Sequence, residues 1–255
     1  YKRQLMVPLM IETFAKKLED VKDLPEKVVK EAVFGSQFHT ICSGGAYLNP
    51  DYIELFERFG IQILQGYGMT ECSPVISTTV AWNVKKNSVG QLLPNCEAKT
   101  VDGELWVRGS SVMQGYYKMP EETKTALKDG WLCTGDLGYV DEERFIYLTG
   151  RKKNLIITKN GENVSPEELE NKLSSSRLVQ EVLVREAKGV IEAEIYPDEE
   201  YAKKQGLERE EEVRVELQKL IDEYNQGAPA YKKIYSLIIR EKEFEKTASR
   251  KIKRY

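Results

Sequence analysis

The stretch FHTICSGGAYLNPDYIELFERFGIQILQGYGMTE, residues 38–71, changes its periodicity three times. Phe38-His39-Thr40-Ile41-Cys42 alternates as a strand does, with His39 expected as a packed strand residue, and gives way to the small-residue turn Ser43-Gly44-Gly45-Ala46. Asn49-Pro50 caps and opens a helix, which Gly60 ends. Ile61-Gln62-Ile63-Leu64 reads as a short buried strand running into Gln65-Gly66-Tyr67-Gly68. Strand, helix and strand in succession predict an α/β layer.

On either side the pattern extends and then changes. Apolar positions three and four apart predict amphipathic helices over 8–20 and 25–34. From Val75 to Leu148 come short strands with Gly and Asn turns, broken by one brief helix near Glu121–Leu127, which suggests a compact barrel or small sheet. A second unit is expected from about residue 150. There Ser165-Pro166-Glu167-Glu168 marks a helix start with a serine cap, and Val179–Glu186 and Gly189–Tyr196 read as paired strands. Val213, Leu217, Leu220, Ile221 and Tyr224 line one face of a long helix, and Ile234–Ile239 is a further strand. The expected organisation is α/β plus α+β, with domains at 1–150 and 151–255.

Composition narrows the chemistry. The 255 residues are 41% hydrophobic and 31% charged, as in a globular protein and unlike a disordered one. Thirty-eight basic and 41 acidic residues nearly cancel, which argues against non-specific nucleic-acid binding. The longest apolar run, Leu5 to Ile11, is too short to span a bilayer, and no basic segment followed by an apolar one opens the chain at Tyr1. A cytoplasmic protein without a transmembrane segment is expected, with peripheral membrane contact left open. Cys42, Cys72, Cys96 and Cys133 lie too far apart in sequence to spell out a zinc or redox pair, so reduced, buried or half-buried thiols are expected. His39 is the sole histidine and no G-x-S-x-G elbow accompanies it, which makes histidine-driven hydrolysis improbable.

Five places carry candidate chemistry. Gly138–Val140 and Phe145–Leu148 read as hairpin strands across Asp141–Arg144, which should bring Asp136 and Arg151 to one end. Such a pair can hold a vicinal diol such as a ribose, or be a plain surface ion pair. Gly66-Tyr67-Gly68-Met69-Thr70-Glu71 offers close backbone approach, a ring face, a hydroxyl for a phosphate and a carboxylate for magnesium. It can equally be a glycine turn with Tyr67 in the core. Gly44-Gly45-Ala46 can pass beside a flat ligand or be a tight connection, and Gly161 is by default a turn glycine. The basic run 246–254 is most simply a solvated tail.

Taken together and in order, SGGAYL (43–48), QGYGMTEC (65–72), GELWVRGSSVMQGYY (103–117), TGDLG (134–138), GRKKNLIITKNGENVSPEELE (150–170) and TASRKIKR (247–254) resemble the AMP-forming acyl-adenylate enzymes. That family includes acyl-CoA synthetases, luciferases and peptide-synthetase adenylation domains. GYGMTECSP (66–74), GRKKNLIITKNGENVSPEELEN (150–171) and PLMIE (8–12) are most similar to long-chain fatty acid-CoA ligases.

The resemblance implies that ATP and a fatty acid give acyl-AMP, from which coenzyme A then displaces AMP. Gly44, Gly45 and Ala46 would border adenine and the acyl group. Tyr67 would stack on adenine, with Gln65, Gly66, Gly68 and Met69 completing the nucleotide-binding segment. Thr70 would hold the α-phosphate, Glu71 the Mg2+, and Asp136 with Arg151 the ribose. Lys153 matches the hinge, Gly161 would meet the phosphopantetheine arm, and Lys251 matches the lysine that enters for adenylation. Residues 1–150 would be the C-terminal portion of the large adenylate-forming domain and 151–255 the small mobile lid. Two departures stand out: Arg250 replaces the glycine before the terminal lysine, and no Ser/Thr/Gly-rich loop ending in Pro-Lys occurs in these residues. The chain alone is therefore expected to be inactive. An enzyme loading an acyl carrier protein, or a non-catalytic adenylate-binding module, are the alternatives.

Overall fold

Two parallel strands and the helix between them set the first unit of this computed structural model, which describes residues 2–21, 23–247 and 251–254. Strands β1 (Arg3–Leu5), β2 (Thr40–Gly44), β3 (Gln62–Gly68), β4 (Val75–Thr78) and β5 (Gln91–Leu92) form one sheet in that order. The first three are parallel and the last two antiparallel. A parallel pair needs a crossover, which α3 (Pro50–Arg58) supplies between β2 and β3. Its start follows the expected chemistry: Asn49 Oδ1 accepts from the Asp51 N–H at 2.9 Å, and Pro50 stands at the first helical position. Helices α1 (Pro8–Glu19) and α2 (Glu26–Val33) precede β2. Ile11, Ala15 and Leu18 form one buried stripe on α1 and join Val29, Ile41, Phe56, Ile61 and Ile63 in a single core. Phe34 stacks on Phe38 within it, at 5.4 Å between centroids.

The region after Val75 turns out as a half-barrel rather than a closed barrel. Strands β6 (Cys96–Val101), β7 (Glu104–Gly109), β9 (Trp131–Val140) and β10 (Ile146–Arg151) take the order β10-β9-β7-β6, and β8 (Leu127–Lys128), which follows helix α4 (Pro120–Ala126), pairs with β9. Alternation sends Leu105, Val107 and Leu132 inward with Tyr67, Cys72 and Ile76. The other face carries Lys99 over Trp131 at 4.2 Å and Arg108 over the same ring at 4.6 Å.

The chain divides into two units, Tyr1–Leu148 and Thr149–Tyr255. In the second, β11 (Ile156–Ile157) and β12 (Asn163–Val164) form a small hairpin ahead of α5 (Pro166–Leu173). Strands β13 (Val179–Ala187) and β14 (Val190–Pro197) pair antiparallel, and β15 (Ile234–Ile239) joins β14 in parallel after α6 (Glu199–Lys204) and α7 (Glu210–Gly227). Leu169, Leu173, Val184, Ala193, Ile195, Leu217 and Ile221 are the centre of its core.

Two local expectations are corrected. His39 is exposed and precedes β2, with Nδ1 2.9 Å from Thr40 Oγ1, because the inward-facing positions here are Phe38 and Thr40. Ser165 does not cap α5: its buried hydroxyl donates to Glu167 Oε2 at 3.0 Å. It also lies where a side chain on Gly150 would sit, 1.9 Å from an added Cβ.

Candidate functional site

Register brings the two glycine segments of the first unit side by side. Ser43 pairs with Gln65 and Gly44 with Gly66, and a Cβ on Gly44 would stand 2.6 Å from the Gly66 carbonyl oxygen. Gly45 follows with φ +86° and no heavy atom within 4 Å of where its Cβ would be, so the backbone is open just past the strand. Ala46 is exposed as well. Among the described residues the buried Ser43 Oγ has no hydrogen-bond partner. An orphaned hydroxyl beside an open glycine fits a polar ligand atom.

The segment after Gly66 is bent tightly. A Cβ on Gly68 would sit 1.9 Å from the Pro74 carbonyl oxygen, to which the Met69 N–H donates at 2.8 Å. Thr70–Cys72 form a single 3-10 turn, closed by Ser73 at φ +55°. The Gln65 carbonyl accepts from the Thr79 N–H at 2.7 Å, while its side chain donates to the Ser88 carbonyl at 3.4 Å. Thr70 is exposed. Glu71 is half-buried and held twice: its carbonyl accepts from the Met113 N–H, and its Oε1 from the Tyr116 hydroxyl, both at 2.8 Å. That hydrogen bond pushes the Tyr116 phenol above its ordinary value. Tyr116 lies within GELWVRGSSVMQGYY, yet nothing in its spacing marked it as a partner of Glu71.

Tyr67 is 8% exposed and belongs to the core, so the ring face free for stacking is narrow. Its hydroxyl donates to Asp136 Oδ2 at 2.7 Å. Burial, then the neighbouring Asp136 charge, raises this phenol far above its ordinary value. Asp136 is itself buried, and its N–H donates to Thr134 Oγ1 at 3.1 Å. Thr134 in turn donates to the Leu105 carbonyl at 2.6 Å, and the Gly135 N–H donates to Glu104 Oε1 at 2.9 Å. The carboxylate therefore sits in a fixed polar seat.

The remaining candidates lie in the second unit. Arg151 closes β10, and Lys153 follows in a 3-10 turn over Lys152–Asn154; both are exposed. Gly161, at φ +82°, makes the β11–β12 turn with open space where a Cβ would be. Lys251 is exposed; its N–H donates to Thr247 Oγ1 at 3.2 Å and its carbonyl accepts from the Thr247 N–H at 2.8 Å. Arg250 lies outside the described residues. Among those described, no group of three His, Cys, Asp or Glu could hold a metal ion. A lone Glu71 still suits Mg2+, which keeps several waters and phosphate oxygens when it accompanies a nucleotide.

Two family matches together cover most of the chain. The AMP-binding enzyme family matches residues 5–117, and the AMP-binding enzyme C-terminal domain matches residues 153–255. The chain belongs to the AMP-binding enzyme family. Among AMP-binding enzymes, it is 39% identical over 171 residues to long-chain-fatty-acid–CoA ligase FadD15 of Mycobacterium bovis, covering 66% of this chain and 28% of that one. It is 38% identical over 163 residues to a long-chain-fatty-acid–CoA ligase of Bacillus subtilis, covering 58% and 29%. Its fold superposes on the o-succinylbenzoate CoA synthetase MenE of Bacillus subtilis, solved with the acyl-adenylate OSB-AMP, with a TM-score of 0.77 at 28% identity. That match covers 99% of this chain and 50% of MenE, which has also been solved with ATP and a magnesium ion. The chain thus spans under a third of the two curated ligases by alignment and half of MenE. Among the described residues, no helix is long and apolar enough to cross a membrane.

Proposed function

We propose that the chain is the C-terminal half of an AMP-forming ligase that activates a long-chain fatty acid and passes it to coenzyme A. The carboxylate oxygen attacks the α-phosphorus of ATP and expels pyrophosphate; the CoA thiol then attacks the acyl carbon, loses its proton and expels AMP. The observation that carries this reading is the Tyr67–Asp136 hydrogen bond, which joins the QGYGMTEC and TGDLG segments, 69 residues apart, at one buried point. Two segments on which the resemblance rests are thus physically one feature.

In this reading residues 1–150 are the C-terminal portion of the large adenylate-forming domain, and 151–255 are the small C-terminal lid domain. Gly44, Gly45 and Ala46 border adenine and the acyl group, with the orphaned Ser43 hydroxyl beside them. Tyr67 lies against the adenine, within the segment Gln65, Gly66, Gly68 and Met69. Asp136 and Arg151 take the ribose hydroxyls, since a carboxylate accepts and a guanidinium donates. Thr70 donates to the α-phosphate and Glu71 holds Mg2+, which supplies charge neutralisation on the phosphate oxygens. Lys251 stabilises the negative charge that builds up at the α-phosphate, and loss of one such group costs about a hundredfold or more. Lys153 serves as the hinge and Gly161 borders the CoA arm. The long-chain assignment rests on the two curated relatives at 38–39% identity.

Pyrophosphate release by the intact ligase carrying this sequence, measured over acids of increasing length with and without CoA, tests the reading. Release with long-chain acids and CoA-dependent thioester formation are expected. Adenylation that passes the acyl group only to a carrier protein would replace CoA as acceptor. Lys251→Ala should abolish acyl-adenylate formation and spare thioesterification of supplied acyl-AMP; equal loss in both would sink the lysine's role. The 255-residue chain by itself should show no ATP–pyrophosphate exchange.

A further inference from the structure

Residues 245–247 and 251–254 pair with one another. Lys246 bridges Ile252, the Thr247 N–H donates to the Lys251 carbonyl at 2.8 Å, and the Lys253 N–H donates to the Glu245 carbonyl at 2.8 Å. Both arms of this ribbon are tied to the second unit by carboxylates of the same design. Glu181, on β13, accepts the Phe244 N–H on Oε2 at 2.8 Å and pairs with Lys246 through Oε1. Glu170, on α5, accepts the Val184 N–H on Oε1 at 2.7 Å and pairs with Arg254 through Oε2. The Glu170 and Glu181 side chains are only 12% and 11% exposed, so these are well-shielded pairs rather than surface ones. Phe244, whose N–H Glu181 accepts, is buried. Lys251 itself is exposed and makes no ion pair among the described residues. An isolated two-stranded ribbon is marginally stable in water, so its form depends on these ties.

We infer that Glu170 and Glu181 are positioning residues: they clamp the two arms, residues 245–247 and 251–254, so that Lys251 is presented with its backbone fixed and its ammonium free. This rests on the assignment of Lys251 to adenylation. Fixing the backbone in advance lowers the ordering cost when the ammonium meets developing charge. The arms are held separately, so each carboxylate contributes without the other.

The test has two arms. In the 255-residue chain, hydrogen exchange is followed at the Thr247, Lys251 and Lys253 amides. Glu170→Gln and Glu181→Gln keep a backbone-accepting oxygen and lose the shielded ion pair, leaving Arg254 only Glu167 at 3.6 Å and Lys246 only Glu243 at 2.6 Å. They are expected to speed exchange at those amides about tenfold or more while Ala193 and Ile195, in the sheet core, stay within about twofold. Unchanged exchange at the ribbon overturns the clamp, and uniform acceleration reduces it to general stability. In the intact ligase, Glu170→Gln should lower ATP–pyrophosphate exchange about tenfold and leave thioester formation from supplied acyl-adenylate within about twofold. Arg254→Met should do the same, with Arg254→Lys recovering part of the loss. Equal loss in both half-reactions, or none, overturns the positioning role. Should Lys251→Ala leave adenylation intact, the assignment of that lysine fails instead, and the exchange data still decide whether the clamp exists.

Discussion

The Tyr67 hydroxyl reaches Asp136 Oδ2 at 2.7 Å, joining a strand of the parallel layer to a strand of the half-barrel inside a shared core. Hydrogen bonds to a buried ionised group are the stronger kind. Tyr67→Phe is therefore expected to destabilise the chain by about 2 kcal/mol, read from urea melts. The same variant isolates a pH effect. In the unfolded chain this phenol ionises near 10.0, whereas in the fold it keeps its proton to higher pH. Above about pH 10 the unfolded state binds fewer protons, so stability falls as pH rises, by up to about 1.4 kcal/mol per pH unit for this group. Tyr67→Phe should show a shallower alkaline loss than the parent chain; parallel curves would contradict it.

The glycines of the two paired segments differ in why they are glycine. Gly68→Ala places a Cβ 1.9 Å from the Pro74 oxygen and 2.8 Å from its carbonyl carbon, both backbone atoms that hold the β3–β4 turn. Gly45→Ala meets nothing and costs only the positive-φ strain, about 1–2 kcal/mol. Denaturation should show Gly68→Ala losing about 3 kcal/mol or more and Gly45→Ala clearly less. Equal losses would mean that the close approach at Gly68 is relieved elsewhere.

Periodicity made the β2–α3–β3 unit legible because each element is long enough to repeat its own pattern and is bounded by Asn49, Pro50 and glycines. Tertiary pairings left no such trace. Tyr116 meets Glu71 across 45 residues, and only the fold brings them together. Strand-like alternation at 38–42 says which residues differ in facing but not where pairing begins, and β2 begins one residue after His39. A serine ahead of proline suits a cap, yet the Ser165 hydroxyl is taken by Glu167 against Gly150. The six-residue helix α6 is too short for a 3.6-residue period, although Asp198 caps it through the Tyr201 N–H at 3.0 Å.

Tyr116 fixes the carboxylate proposed to hold magnesium. Tyr116→Phe removes the donor on Glu71 Oε1 and leaves the ring in place. In the intact ligase, adenylation should fall about tenfold, corresponding to about 1.4 kcal/mol in the transition state. ATP–pyrophosphate exchange titrated with magnesium checks this, and an unchanged magnesium dependence would detach Tyr116 from the site.

The four thiols should separate by reactivity. Burial pushes the Cys72 thiol up to about 12, with Cys96 and Glu71 adding to the effect. At pH 8 roughly one molecule in ten thousand carries that thiolate, and the sulfur is also enclosed. Cys96 is buried as well, whereas Cys42 and Cys133 are half-buried. Brief alkylation of the folded chain should modify Cys42 and Cys133 first and leave Cys72 to last. Mass spectrometry of the digested protein reads the order directly.

On the second unit's sheet, the outward face of β14 presents Glu192 and Glu194, both under 12% exposed at the side chain. Register sets Arg185 of β13 opposite Glu192, and its guanidinium reaches both carboxylates. Ser236 of β15 donates to Glu192 at 2.8 Å, and Arg240 pairs with Glu194 at 3.2 Å. Arg185 is thus shared by two shielded acids, while Arg240 serves one. Removing a shared cation leaves two like charges, two residues apart on one face, with less compensation. Arg185→Met should cost about 3 kcal/mol and Arg240→Met about 1 kcal/mol in urea melts. The ordering carries the argument: a larger loss at Arg240 would place the balance of this acidic strand on β15 instead of β13.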